Sequence, residues 1–260
     1  MNNLLYIIII IIIILIYNYN CKLQGISHTN NIYRNILSND TLELVKFNNF
    51  YNDFKDIKFE LEIYNKTYTG YPIKKNSITL KHFFDKELIT EDNYYKQIIL
   101  YLDNYNIHNY STNIINLYYN IKKDFSKLFD IDKSFKMKFR ISKTPWMART
   151  HFDALNGYLL QLINTRNVYT LTYPLSKFSE INQLSCKDLI KKYTNVNKTI
   201  LNKGDITIIP MGLIHCISSN SDNISVAVSI YPKIQNHNDT NTQKYISYFK
   251  KYYQERYYNI

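Results

Sequence analysis

Glycine, proline and cysteine are scarce in this chain of 260 residues, with five, five and three copies respectively. So few glycines and prolines exclude collagen-like and elastic polymers, and three cysteines are too few for a small disulfide-stapled scaffold. A disordered chain is excluded as well, because 45% of the residues are hydrophobic and 15% are aromatic. The length suits one large domain or two small ones, with ample material for a core.

Long runs of like charge are also missing, although the net charge is +11. The densest basic stretch, residues 250–256, is typical of the exposed face of a C-terminal helix, and its alternative is a patch for nucleic acid or lipid. Isoleucine, asparagine, lysine and tyrosine share A/T-rich codons, so coding bias accounts for much of the composition and of the positive charge. Nucleic acid stays an open alternative as a partner, without support from the charge pattern.

One long apolar run lies at the amino terminus, where residues 4–17 read LLYIIIIIIIILIY. The run is short for a spanning helix, which needs about 20 residues, but it fits the apolar core of a signal peptide. No basic residue precedes it and no small-residue cleavage site follows it, so a membrane anchor and a low-complexity tract are alternatives. We expect a hydrophobic leader over residues 1–22, one domain over 23–260, and a membrane-associated or secretory chain that contacts the membrane through this leader.

The cysteines do not indicate a site. Cys21, Cys186 and Cys216 are odd in number and lack the Cys-x-x-Cys spacing of zinc and redox sites. Cys216 is expected to be a core thiol, because its side chain on a strand should face away from that of His215.

Hydrophobic periodicity predicts a strand-rich second half with helices around it. Apolar residues at helical spacing predict a helix over 114–129, residues 57–63 alternate like a half-buried strand, and 94–102 fit either element. Ser185 is the predicted cap of a helix over 185–193, and a last helix is expected over 240–258. Short strands are predicted over 135–142, 157–163, 168–173, 205–209, 216–218 and 224–231, with turns at 164–167 and 202–205. Many short antiparallel strands favour a sandwich or a barrel.

Two histidines and an aspartate carry the strongest chemical signal. His151 and Asp153 are two residues apart, so on a strand their side chains point to the same face. His215, from a later neighbouring strand, can complete a three-point site. Two histidines and one carboxylate form the facial triad of non-haem iron oxygenases, which leaves coordination positions open. His237 and Asp239 have the same spacing but lie in a polar run, so we interpret them as part of a loop.

The surrounding sequence resembles the JmjC and cupin-like Fe(II)/2-oxoglutarate oxygenases. Such proteins have a glutamine ten residues after the first histidine, a strand that ends in proline, and a Gly-Asp turn before an Ile-Pro pair and the last ligand. Here these are Gln161, Tyr173–Pro174, Gly204–Asp205, Ile209–Pro210 and His215. The resemblance covers residues 40–233, and its specific motifs lie within 150–231.

The resemblance implies a mainly β fold with flanking helices, namely a double-stranded β-helix of the jelly-roll type. It also implies that His151, Asp153 and His215 bind Fe(II), that 2-oxoglutarate is the cosubstrate, and that the activity is hydroxylation of a side chain in a protein or peptide substrate.

The chain departs from the family where the oxoacid binds. The lysine that usually pairs with the distal carboxylate is absent, and Arg166, fifteen residues after the first histidine, can replace it. Arg166 also falls where an exposed turn residue belongs. Asn156 and Thr150 are the other candidate cofactor contacts, since Gly157 and Ala148 occupy the positions where the family often has asparagine and threonine. If oxoacid binding is lost, the chain is a catalytically degenerate cupin-fold protein that binds metal or a partner.

Overall fold

The structure is a computed structural model that describes residues 32–65, 74–85, 94–143, 146–148, 150–153, 155–182, 184–219 and 224–232, together with 240, 243, 246 and 247. The predicted leader over residues 1–22 lies outside these residues. So does most of the helix predicted over 240–258, although its four described positions are helical. The single domain over 23–260 stays a prediction.

The described part of the chain contains five α-helices, two short 3-10 helices and twelve strands. The α-helices are α1 (Asn39–Leu44), α2 (Phe47–Phe54), α3 (Leu80–Asp85), α4 (Thr112–Ser126) and α5 (Cys186–Lys192), and the 3-10 helices are Ile107–Asn109 and Leu175–Glu180. The strands are β1 (Ile32–Tyr33), β2 (Lys58–Asn65), β3 (Lys74–Thr79), β4 (Tyr94–Asp103), β5 (Lys136–Lys143), β6 (Trp146–Met147), β7 (Gly157–Ile163), β8 (Arg166–Leu171), β9 (Asn197–Leu201), β10 (Ile206–Ile209), β11 (Ile214–Ser219) and β12 (Ile224–Tyr231).

The strands form two antiparallel sheets. The larger has the order β1-β10-β7-β12-β5-β4-β2-β3, and the smaller has the order β6-β11-β8-β9. An apolar layer with residues from both sheets lies between them, and it includes Leu159 and Ile209 of the larger sheet and Val168 and Ile217 of the smaller. The predicted mainly β, jelly-roll fold with flanking helices is confirmed.

Each sheet also has an apolar outer face. On the larger sheet, residues such as Phe139, Leu160 and Val228 pack against the helices α1 to α4. On the smaller sheet, Tyr169 and Ile214 pack against the 3-10 helix Leu175–Glu180 and α5. Because neighbouring residues of a strand point to opposite faces, the residues between these outer positions face the space between the sheets.

No helix in the described ranges is long and apolar enough to cross a membrane. The 15 residues of α4 fall short of the roughly 20 that a spanning helix needs. The prediction of a membrane-associated or secretory chain is therefore wrong, and the run on which it was based lies outside the described residues.

Asp124 of α4 holds the start of α1 in place. Its Oδ2 accepts hydrogen bonds from the backbone N–H of Ser38 at 2.8 Å, the Ser38 hydroxyl at 2.9 Å and the Thr41 hydroxyl at 2.6 Å. Its Oδ1 accepts from Lys127 Nζ at 2.7 Å. Burial alone would raise the pKa of Asp124, but the hydrogen bonds from Lys127, Thr41 and Ser38 outweigh it and the pKa is lowered.

We expect Asp124→Asn to destabilise the fold by about 1 to 3 kcal/mol at pH 7. A lowered pKa means that the carboxylate stabilises the fold above about pH 4, and that this contribution is lost as the pH falls through the lowered pKa. Urea unfolding should therefore show that the difference in free energy of unfolding between the parent protein and Asp124→Asn is smaller at pH 3 than at pH 7. The exposed Asp56→Asn is the control, and an equal loss in both variants contradicts the role of Asp124.

Candidate metal and cofactor site

The structure brings His151, Asp153 and His215 together. One candidate ligand atom from each residue lies within 4.8 Å of the others. The Nε2 atom of His215 is 3.7 Å from Oδ2 of Asp153, and the centroids of the two imidazole rings are 4.1 Å apart. Two neutral nitrogen donors and one carboxylate at this spacing could hold a divalent metal ion.

Backbone pairing sets the two histidines side by side. His151 lies before β7 and forms an isolated antiparallel bridge with His215 of β11. The N–H of His151 donates to the carbonyl of His215 at 2.8 Å, and the N–H of His215 donates to the carbonyl of His151 at 2.7 Å. This pair of hydrogen bonds fixes the register that puts both rings at one point.

The ring of His215 is oriented by a second hydrogen bond. Its Nδ1 lies 2.9 Å from the carbonyl oxygen of Leu213, which can only accept, so Nδ1 carries the hydrogen. In the neutral imidazole, Nε2 then keeps its lone pair and faces Asp153. A backbone acceptor that fixes the tautomer in this way is typical of metal-binding histidines.

Hydrogen bonds connect the loop before β7, which contains Asp153, to the loop before β11. The N–H of Gly212 donates to the carbonyl of Asp153 at 2.9 Å, with Gly212 at a φ of 74°. The N–H of Met211 donates to Oδ1 of Asn156 at 2.8 Å. A Cβ at Gly157 would lie 3.5 Å from Oδ2 of Asp153, so glycine here leaves space beside the carboxylate. The side chain of Asp153 is 45% exposed and faces the open side of the site.

Two of the predicted cofactor contacts make hydrogen bonds within the fold. Asn156 accepts from the loop before β11, as described above. Thr150 is buried, and its hydroxyl donates to the carbonyl of Leu184 at 2.8 Å. Both residues connect loops near the ligands, and their contact with a cofactor stays a prediction.

Arg166 is buried between the two sheets. It is the first residue of β8 and only 1% exposed, so it is not the exposed turn residue that its neighbours suggested. Its Nε donates to the hydroxyl of Ser225 at 3.0 Å, and its NH2 group donates to the carbonyl of Arg140 at 3.2 Å and lies 3.4 Å from the Ser142 hydroxyl. The guanidinium lies over the ring of Trp146, 5.2 Å from the centroid.

Within the described ranges, no counter-ion balances the charge of Arg166. Burial, and to a lesser extent the neighbouring Arg140, lowers the pKa of Arg166 to about 9, so the side chain is still a cation at neutral pH. Its NH1 group is buried with no hydrogen-bond partner, and no carboxylate of the described residues forms an ion pair with it. An unpaired buried charge costs several kcal/mol, which an anionic ligand would offset.

Residues 118–239 match the family model of the JmjC domain. This segment is similar to a JmjC domain. Two solved structures of YcfD from Escherichia coli, one described as a ribosomal oxygenase, have 14% and 15% sequence identity with TM-scores of 0.45 and 0.41. They cover 92% and 93% of this chain, and the chain covers 58% and 56% of theirs. No curated protein sequence matches the chain.

A cupin-fold enzyme is also among the similar structures. The oxalate decarboxylase of Lactobacillus farciminis, in a formate complex, has 9% identity and a TM-score of 0.31, over 53% of this chain and 29% of its own. The chain therefore spans between about a third and three fifths of the length of these proteins. The match to the JmjC domain covers β5 to β12, which carry both the histidine pair and Arg166.

Five further buried side chains of the segment that matches the JmjC model each have one polar atom without a hydrogen-bond partner among the described residues. Strand alternation puts three of them on the inner face, with the apolar layer between the sheets: Gln161 follows Leu159, Thr207 precedes Ile209, and Ser219 follows Ile217. The atoms are Nε1 of Trp146, Oε1 of Gln161, Oδ1 of Asn182, Oγ1 of Thr207 and Oγ of Ser219.

The sequence reading gave none of these groups a role in binding and assigned Trp146 to the core by default. The signal that could have found most of them is a polar residue at an inward position of a largely apolar strand. Together with NH1 of Arg166, they are the buried polar atoms of this segment that the described residues leave without a partner.

The cysteine prediction was half right. Cys216 points away from the ligands into the outer apolar layer of the smaller sheet, as expected. It is not a free thiol, however, because it forms a disulfide with Cys186. The two residues are 30 positions apart in sequence, and no spacing motif marks them as a pair.

Proposed function

We propose that the protein is an Fe(II)- and 2-oxoglutarate-dependent oxygenase that hydroxylates a side chain of a protein or peptide substrate. The observation that carries this proposal is the unbalanced cation of Arg166, buried in the segment that matches the JmjC model and that also contains His151, Asp153 and His215. A site for metal alone does not need a buried cation without a counter-ion. A site for a dicarboxylate does.

The donor set fits Fe(II). Nε2 of His215, a ring nitrogen of His151 and the carboxylate of Asp153 would be the ligands, with the remaining positions open to cosubstrates. When bound, iron and the oxoacid supply the oxidising chemistry that protein side chains lack. The protein's own part is to hold the ligands in register, and the backbone pair of His151 and His215 would do this for the two histidines.

Arg166 fits the distal carboxylate of the oxoacid. NH1 is the unused donor of a guanidinium that two serines and a backbone carbonyl already hold in place, so this donor is oriented for a carboxylate. Nε1 of Trp146 and the hydroxyl of Thr207 are further unused donors on the inner faces. A protein or peptide as the substrate follows the expectation from the JmjC resemblance.

The proposal is tested with the full chain under anaerobic conditions. Addition of Fe(II) and then 2-oxoglutarate should produce a weak visible charge-transfer band, and admission of air should release carbon dioxide from the oxoacid. Omission of Fe(II), and replacement of the oxoacid by a monocarboxylate of similar length, are the controls. If metal binds but the oxoacid gives neither a band nor decarboxylation, the chain is a cupin-fold metal-binding protein and the oxygenase proposal is wrong.

A further inference from the structure

The disulfide attaches to the strand that carries His215, on the face of that strand opposite to the His215 side chain. Cys216 follows His215 directly on β11, and its side chain lies in the outer apolar layer, away from the candidate ligands. Its partner Cys186 is the first residue of α5, with the two Cα atoms 5.7 Å apart. The bond therefore joins α5 to the backbone position next to one candidate ligand.

The same apolar layer holds the residue between the other two ligands. Phe152 lies between His151 and Asp153, is fully buried, and packs edge-to-face on Phe178 with ring centroids 4.9 Å apart. Phe152 belongs to the same apolar cluster as both cysteines. Side chains on either side of a buried residue in an extended segment point to the other face. The apolar layer therefore packs against the backbone of all three candidate ligands on the face opposite to their side chains, and this packing helps to orient them.

The residues before α5 are also attached to the segment that leads into His151. The carbonyl of Leu184 accepts hydrogen bonds from the N–H of Thr150 at 3.2 Å and from its hydroxyl at 2.8 Å. The N–H of Cys186 lies 3.2 Å from Sδ of Met147. The disulfide thus joins β11, which carries His215, to a segment that is hydrogen-bonded to the residues before His151.

We propose that the Cys186–Cys216 disulfide is a positioning element of the metal site, and that its reduction by a dithiol weakens metal binding. The inference rests on the metal site of the proposed function. In the reduction the S–S bond breaks, each sulfur gains one electron and one proton, and the two thiols of the reductant become a disulfide. Without the bond, only noncovalent contacts hold α5 against β11, and the angle between the ligands is less restricted.

Burial of the two sulfur atoms limits the rate at which a dithiol reduces the disulfide. Cys186 is 3% exposed and Cys216 is fully buried, so a reductant reaches the bond only when α5 detaches. That helix has seven residues, and its outer face is exposed at Ile190, so its local opening is cheaper than global unfolding. Reduction is expected to be slow but to proceed without unfolding of the two sheets.

The test compares the oxidised and reduced full chain, with Cys21→Ser so that only the disulfide pair responds to reductant. Mn(II) is the probe, because it is a hard ion that does not favour thiolate ligands. Alkylation followed by mass spectrometry should count no thiols in the oxidised form and two in the reduced form. The Kd of Mn(II), measured by calorimetric titration after removal of the reductant under nitrogen, should rise at least tenfold on reduction.

Two variants separate positioning from general stability. The double variant Cys186→Ala/Cys216→Ala should bind Mn(II) like the reduced protein and should not respond to reductant. Ile121→Ala, in the apolar layer on the other side of the larger sheet, should lower the melting temperature and leave the Kd unchanged. Equal Kd values in the oxidised form and in the form with two thiols overturn the inference alone. Two thiols in the protein before reduction also overturn it, and no Mn(II) binding in either form overturns the proposed function as well.

Discussion

His215→Ala is expected to abolish metal binding and with it the decarboxylation of 2-oxoglutarate. The substitution removes one of three candidate ligands, and a two-ligand site competes poorly with water for Fe(II) or Mn(II). We expect the Kd of Mn(II) to rise by a factor of about 100 or more. Loss of a residue that only orients a metal ligand already weakens metal binding by about 10- to 100-fold, and loss of a ligand itself should cost at least the upper value. Calorimetric titration measures the affinity, and carbon dioxide release measures the turnover.

The matched control is His108→Ala, since His108 lies on the surface in the 3-10 helix Ile107–Asn109. This variant should bind Mn(II) like the parent protein. Far-ultraviolet circular dichroism should show that both variants are folded. Retention of metal affinity in His215→Ala, with the fold intact, would mean that His215 is a core histidine and that the site is not the proposed one.

Arg166→Met is expected to lose oxoacid binding while the protein without ligands becomes at least as stable as the parent. Removal of the cation should cost about 2 to 5 kcal/mol of binding to a carboxylate, which raises the oxoacid requirement between about 30-fold and several thousand-fold. The same change removes a buried charge without a counter-ion, and methionine of similar volume is tolerated at such positions or improves stability. Mn(II) binding should not change, because Arg166 is not among the ligands.

Thermal unfolding with and without 2-oxoglutarate shows both effects in one measurement. The parent protein with Mn(II) should be stabilised by the oxoacid, and Arg166→Met should show no such stabilisation. Arg166→Lys keeps the charge without the bidentate geometry and should lie between the two. If the oxoacid still stabilises Arg166→Met to the full extent, the buried arginine is a structural residue and another group binds the distal carboxylate.

Several elements could be predicted because their residues alternate between two environments. The strands over 157–163 and 224–231 have the bounds that the periodicity indicated, and each has one face in an outer apolar layer. The helix predicted over 114–129 is present as Thr112–Ser126. Ser185 caps α5 as predicted, since its hydroxyl accepts from the N–H of Asp188 at 3.1 Å. Local pattern decides such elements, so the sequence suffices for them.

The turn before β8 shows where local pattern is not enough. The polar run over 164–167 predicted a four-residue turn, and an exposed position in that turn was one of two alternatives for Arg166. In the structure Asn164 has a φ of 62°, a left-handed conformation that asparagine tolerates, and the turn closes two residues earlier. β8 therefore begins at Arg166, which pairs with Leu201 of β9, and packing of the two sheets buries the guanidinium.

The sequence by itself determined the spacing of His151 and Asp153, the distance in sequence to His215, and the resemblance to the JmjC domain, because these depend on short segments read in order. Only the tertiary structure decided that Arg166 is a buried cation, that Cys186 and Cys216 form a bond, and that unused donors collect between the sheets. Each of these depends on residues from different strands that meet through sheet pairing and packing. Contacts of that kind are set by the whole fold, and no local pattern in the chain encodes them.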